Sequence, residues 1–152
     1  MEALREFNVR VYALFINDQN QVLVSDEIIR GKYFTKFPGG GLELGESPVE
    51  CLHRECQEEM NQPIEVLNHF HTTDQFVRSA FRPWEQVISI YHRCKIKGDN
   101  KFKTSTKRFD FDRAITGDQE AFRWADISTL DAKEFEFLID AHVVGLIKKQ
   151  FS

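Results

Sequence analysis

A mixed α/β fold is the prediction, and three observations carry it. Alternating, β-branched runs stand before, between and after two helical segments, an order that suits a mixed sheet with helices on its faces. The first helical segment has a complete start signal, with Ser47 as N-cap, Pro48 at the first helical position and Glu50 three residues after the cap. With 152 residues, 41% hydrophobic and 29% charged, the chain has the size and composition of one domain, residues 1–152, able to bury a core without disulfides or a structural metal.

Taken in order, "FNVRVYALFI" and "QVLVSDEI" are β-rich runs separated by the turn signal "NDQN", and they predict a hairpin. "YFTKFP" reads as a short strand that delivers the chain into "GGG", and the helix follows over Ser47 to Met60. "IEVLNHFHTTDQF" and "EQVISIYHRCKI" read as neighbouring strands joined through "VRSAFRPW". His69 and His71, two residues apart, fall on one face of a regular strand, where ordinary surface placement outweighs a metal site. "KGDNKFKTSTKRFDFDRAITGDQ" reads as a long mobile loop, "AFRWAD" as a last strand, and "DAKEFEFLIDAHVVGLIKKQF" ends in a helix with Ile139, Val143, Leu146 and Ile147 on one stripe. Most of the fourteen phenylalanines are expected in the core.

Charge and cysteine usage narrow the function. A formal charge of -4 and a pI near 5.7 give no global basic field, so no nucleic acid polymer is expected as a partner. No window approaches the roughly 18 apolar residues of a membrane span, and no leader is seen, so a cytoplasmic protein without a membrane partner is expected. Cys51, Cys56 and Cys94 are odd in number and form no CxxC pair, which argues against disulfides and thiolate zinc sites.

The helix raises an electrostatic question. Glu55, Glu58 and Glu59 lie at i, i+3 and i+4 and therefore share a face, adjoining an apolar stripe of Val49, Leu52, Cys56 and Met60. Like charges at that spacing cost roughly 0.2–0.5 kcal/mol per pair. Carboxylates near a helix C-terminus lose roughly 0.3–1 kcal/mol each against the dipole. Arg54 offsets part of this through Glu58, but one cation does not balance three anions. A solvated acidic face is the bland alternative; a bound divalent cation would relieve the repulsion. Oxygen-only donors favour Mg²⁺, with Mn²⁺ as a substitute, over zinc. Gly39, Gly40 and Gly41 permit close backbone approach, and a helix N-terminus attracts anions, which suits a phosphate loop; a plain turn explains a bare GGG equally well.

The spacing resembles the signature of the Nudix hydrolases, Gx5Ex7REUxEExGU with U a bulky aliphatic residue. Gly40 opens it, Glu46 follows, then Arg54 and Glu55, with Cys56 in the first U place and Glu58 and Glu59 completing the acidic core. Every charged place is filled. Cys56, Asn61 and Gln62 depart from the pattern; Asn61 suits a left-handed helix cap, and Ile64 is expected to supply the apolar group that Gln62 lacks.

The resemblance implies a Nudix-type α/β/α sandwich with a central mixed sheet, and hydrolysis of a diphosphate bond in a nucleoside diphosphate linked to another moiety. It implies that Glu55, Glu58 and Glu59 hold Mg²⁺, that Arg54 orients the carboxylates, and that Glu46 steadies them from behind. For the catalytic base, which varies within the family, Glu120 is chosen over Asp118 and Glu85. The partner is a small-molecule nucleotide derivative; a homodimer is left open. The alternative is a catalytically silent nucleotide-binding or sensor domain. Lys36, Arg78 and Arg82 are candidate phosphate contacts, Phe81 and Trp84 candidate base-stacking groups, and Lys101, Lys103, Lys107 and Arg108 a candidate lid, each against an ordinary surface or packing role.

Overall fold

The computed structural model describes residues 2–151. Among the described residues, eight strands and two α-helices make a mixed α/β fold with two four-stranded sheets. The chain forms two compact units, Met1–Leu14 with Gly39–Asn100, and Phe15–Pro38 with Lys101–Ser152.

In the first unit, β1 (Glu6–Phe15), β4 (Gly39–Gly41), β5 (Ile64–Thr72) and β6 (Glu85–Ile96) form a sheet in the order β4-β1-β6-β5, β1 extending one residue beyond the unit. Helix α1 (Pro48–Met60) has the capping box predicted for it. The Ser47 side chain accepts from the Glu50 N–H and the Glu50 carboxylate accepts from the Ser47 N–H, a start typically worth about 1 kcal/mol. Asn61 closes the helix in the left-handed region at φ 50°, ψ 41°. Gln62 is buried, and its amide donates to the carbonyls of Pro63 (2.9 Å) and Lys97 (3.3 Å), so hydrogen bonds stand where the pattern has an aliphatic group. Ile64 beside it is buried as expected. The buried helix residues are Cys51, Leu52, Cys56 and Met60, whereas Val49 is 40% exposed. Leu52, Cys56 and Met60 of the stripe read from the sequence are therefore buried, with Cys51 beside them in place of Val49.

The strands β5 and β6 pair antiparallel, but irregularities fall between Val66 and Asn68 and between His69 and His71. The second one breaks the period-two alternation. His69 lies opposite His92 and its ring meets that ring, while His71 lies opposite Tyr91 and meets that one, so the two histidines are on different faces of the sheet.

In the second unit, β2 (Gln21–Ile29), β3 (Lys32–Lys36), β7 (Thr104–Ser105) and β8 (Gln119–Asp126) pair in the order β3-β2-β8-β7, with β7 parallel to β8 and the other pairings antiparallel. The expected hairpin exists only at its turn, through an Ile16–Val22 bridge; β1 and β2 then enter different sheets. Strand β2 is buried on both faces from Val22 to Glu27, so Ser25, Asp26 and Glu27 must find polar partners. Asp26 takes Arg123 (2.9 and 3.2 Å), the Thr35 hydroxyl (2.8 Å) and the Phe109 N–H (3.1 Å).

That last bond corrects the mobile-loop expectation. The segment after β6 contains β7, and Arg108 donates to the Glu134 carbonyl at 2.7 Å. A 3-10 turn, Ala132–Glu134, precedes α2 (Leu138–Phe151), which buries Ile139, Val143, Val144 and Ile147; Leu146 is only half-buried. Of the phenylalanines, Phe15, Phe34, Phe37, Phe122 and Phe135 are buried, with Phe37 stacked on Phe135 and Phe34 on Phe137; Phe7, Phe76 and Phe81 are exposed.

Candidate active site

The site in the first unit is organised by one guanidinium. Arg54 grips Glu46 with two hydrogen bonds, Nε to Oε2 at 2.9 Å and Nη2 to Oε1 at 2.7 Å, the paired geometry that makes an arginine–carboxylate contact strong. Its Nη1 reaches Glu55 at 3.0 Å and Glu58 at 3.2 Å, its Nη2 the Gly41 carbonyl at 3.0 Å, and its Nε lies 3.7 Å from Glu43. Glu43 is a partner that the motif spacing did not reveal. The Glu43 N–H also donates to Glu46 at 2.9 Å. The hydrogen bond from Arg54, then that from Glu43, hold the Glu46 carboxyl down at about 2, and Glu46 pushes the Arg54 value up in return. Beside them the Cys51 thiol is raised to about 12 by burial, so it stays protonated and its Sγ sits 3.6 Å from the Gly41 carbonyl.

The three helix carboxylates are not equivalent. The Glu55 side chain is 12% exposed and that of Glu58 59%, and Glu59 is half-buried. Glycine spacing explains the seat of Glu55. A Cβ on Gly40 would stand 2.5 Å from the Glu55 carboxyl carbon, so only glycine leaves that place to the carboxylate. Gly39 has φ +145° and would meet the Val11 carbonyl oxygen at 2.1 Å. The three glycines form β4, paired with Arg10, Val11 and Tyr12 of β1, which gives their close approach a paired backbone rather than an open turn.

One cation here touches four carboxylates, with Glu59 as a fifth nearby in sequence. Among the described residues, no three His, Cys, Asp or Glu side chains converge into a ready-made metal cage. Arg54 draws Glu55 and Glu58 onto its own Nη1. The donors are all oxygen and in excess over the positive charge, which fits a hard divalent cation that completes its shell with water and substrate oxygens.

The remaining candidates fall elsewhere. Glu120, read as preceding the last strand, lies within β8 opposite Glu27. Its carboxyl is pushed up to about 7 by desolvation and by the Glu27 carboxylate, against Lys36 and Ser25. As the residue is exposed at the sheet surface, the neighbouring carboxylate is the firmer cause. Asp118 accepts from the Arg30 N–H at 2.9 Å. Glu85 is buried at the start of β6 with Oε2 3.5 Å from Arg82, and its Oε1 has no hydrogen-bond partner among the described residues.

Lys36 is buried against Glu27 at 3.3 Å, and Arg78 donates to the carbonyls of Glu2 and Pro83, so neither is an idle surface cation. Phe81 is exposed, while Trp84 lies under the Arg5 guanidinium. Lys101, Lys103 and Lys107 are exposed, but Arg108 is tied to Thr35 and Glu134. No helix among the described residues is long and apolar enough to cross a membrane.

Comparison with known proteins gives a consistent picture. A family model described as NUDIX domain matches residues 6–142. An RNA pyrophosphohydrolase of Nitratiruptor sp. is 30% identical over 82 residues, 50% of this chain and 53% of that protein. Another of that name, from Ruthia magnifica, is 28% identical over 75 residues, covering 49% and 41%. The matched stretch thus spans about half or less of these curated relatives. Among solved structures, a MutT protein from Methanosarcina mazei superposes with a TM-score of 0.69 at 16% identity, covering 99% of this chain and 97% of that one. A NUDIX hydrolase from Nitrosomonas europaea gives 0.68 at 19% identity, covering 95% and 90%. At these identities the superpositions speak to the fold.

Proposed function

The chain belongs to the NUDIX domain family, and on that premise we propose that it is a divalent-metal-dependent pyrophosphohydrolase that cleaves the diphosphate bond of a nucleoside diphosphate linked to another moiety. The single observation that carries this reading is the Arg54 hub: a bidentate grip on Glu46, with Glu55 and Glu58 on the remaining nitrogen and Glu55 seated over Gly40. A helix kept only for its fold has no use for that set.

In this reading Glu55, Glu58 and Glu59 hold Mg²⁺, with Mn²⁺ as a substitute. When bound, the ion supplies Lewis-acid polarisation of a phosphoryl oxygen and acidifies water. Arg54 aligns Glu55 and Glu58, and Glu46 fixes Arg54 from behind; because Glu46 is ionised at every working pH, the alignment persists. Gly39, Gly40 and Gly41 bring a strand close to the helix carboxylates, where substrate phosphates would be drawn. Glu120 takes the part of proton acceptor, supported by its own chemistry, since a carboxyl near 7 is a far better base than an ordinary one. The family model spans residues of both compact units, which supports one functional domain, and the reading places it in the cytoplasm.

A second reading of the substrate is a phosphorylated RNA end, favoured by the names of the curated relatives over the expectation of a small molecule alone. One panel separates these: phosphate or nucleotide release with Mg²⁺ or Mn²⁺ from nucleoside triphosphates, sugar nucleotides, ADP-ribose, NADH, dinucleoside polyphosphates and a 5′-triphosphorylated oligoribonucleotide. Turnover of one class names the substrate. No turnover on any, with nucleotide binding retained, would replace the enzyme by the silent binding domain.

A further inference from the structure

In the second unit, three buried side chains form a linked cluster beside Glu120. Ser25 and Glu27 stand on the same face of β2, Lys36 lies opposite Ser25 on β3, and Glu120 lies opposite Glu27 on β8. The Ser25 Oγ is 3.0 Å from Glu27 Oε2 and 3.0 Å from Glu120 Oε2, and the Lys36 Nζ is 3.3 Å from that same Glu27 oxygen. Ser25, Glu27 and Lys36 are each at least nine-tenths buried.

Proton counting decides what this cluster is. A hydroxyl carries one hydrogen and can donate to one carboxylate only. With both glutamates ionised, one of the two 3.0 Å contacts has no hydrogen in it. Both contacts become hydrogen bonds when one carboxyl carries a proton and donates to Ser25 Oγ while Ser25 donates to the other. Oε2 is the Glu120 oxygen that Ser25 holds.

We propose that Ser25, Glu27 and Lys36 are positioning residues for Glu120, fixing its Oε2 and setting how readily the carboxyl takes a proton. The inference rests on the reading of Glu120 as proton acceptor for its place in the reaction, but not for the chemistry of the cluster. In the transfer itself, ionised Glu120 would take one proton from a water, its charge going from -1 to 0, and the water oxygen would keep the electron pair that bonds to phosphorus as the phosphoanhydride P–O bond breaks. Within this unit the charged groups facing Glu120 are Glu27 from β2 and Lys36 from β3; β7, the next strand, brings only Thr104 and Ser105.

The signs of three substitutions test this. Glu27 raises the Glu120 value, whereas Lys36 and the Ser25 hydrogen bond lower it. A ¹³C NMR titration of the Glu120 carboxyl, assigned by its absence in Glu120→Gln, is expected to show a midpoint near 7 in the wild type. Glu27→Gln is expected to move it down by about one unit, and Lys36→Met and Ser25→Ala to move it up. A merely structural role for these residues gives no such opposed pair of shifts. A midpoint at the ordinary value, or one unmoved by Glu27→Gln and Lys36→Met, overturns the proposal. The pH–rate profile is then read separately. An acid limb that follows the NMR midpoints supports both inferences. If the midpoints shift as stated while the acid limb stays put, the cluster stands and the assignment of Glu120 as base falls.

Discussion

Two groups of carboxylates in this chain have opposite habits, and the reason lies in what stands among them. Around Arg54, four carboxylates share a guanidinium that offers several donors in a rigid fork, and Glu46 is held down at about 2. Around Ser25, two carboxylates share a hydroxyl with one hydrogen, the nearest cation sits on the other member, and Glu120 is held up at about 7. In the first group the shared cation holds Glu46 in its charged form. In the second the neighbouring carboxylate presses Glu120 toward its neutral form. Glutamate is the same side chain in both, so donor count and placement of the cation set the chemistry.

The comparison breaks most visibly by neutralising the first group. Glu58→Gln and Glu59→Gln are each expected to lower metal-dependent turnover on the order of 10³-fold, as loss of roughly 4 kcal/mol of transition-state stabilisation implies. The far-UV circular dichroism spectrum and urea midpoint should stay near wild type, which a kinetic assay beside an unfolding curve would check.

The adjacent glycines separate fold from site at the next level. Gly39→Ala forces a side chain into a positive-φ position against the Val11 backbone, and a loss of about 2 kcal/mol or more is expected in chemical denaturation. Gly40→Ala meets only the end of the flexible Glu55 side chain. That variant should fold nearly as well as wild type and yet bind Mn²⁺ more weakly. Equal stability losses in the two alanines would show that Gly40 is not kept for Glu55.

Glu46→Gln sharpens the support role. It removes the partner that fixes Arg54, and a 10–100-fold loss of metal affinity or activity is expected from such outer contacts. Titration calorimetry with Mg²⁺ or Mn²⁺ would measure it.

The smallest effect is on stability against pH, and its sign differs between the two groups. Glu46 has a depressed value, so its contribution is present above about 4.5 and is lost as pH falls toward 2. Glu120 has a raised value, so its contribution is present below about 4.5 and is lost as pH rises through 7. Exposure of Glu120 to solvent limits that loss to under about 1 kcal/mol. Unfolding midpoints at pH 5 and pH 8 should therefore show Glu120→Gln gaining on the wild type at the higher pH.

Local signals made the first group legible. The capping box, the asparagine cap and the acidic spacing all lie along a single helix, and Ser47, Glu50, Asn61, Arg54 and Glu46 are where the sequence puts them. On α1 the apolar stripe is buried at Leu52, Cys56 and Met60, while Val49 is exposed and Cys51 is buried on the side where Gly40 stands close to Glu55. The second group depends on pairing between residues 95 positions apart, Ser25 and Glu120, and on the register of β2 with β8. No local periodicity encodes that. The bulge between His69 and His71, and the Phe109 N–H bond that anchors a polar loop on Asp26, are likewise products of long-range pairing.

The most direct measurement is Mn²⁺ binding to the purified protein, followed by electron paramagnetic resonance in the wild type, Glu58→Gln and Glu59→Gln. A metal held by the α1 carboxylates predicts a bound ion in the wild type, with affinity falling at least about 10-fold in each variant while the fold persists. Equal Mn²⁺ affinity in all three proteins would contradict it.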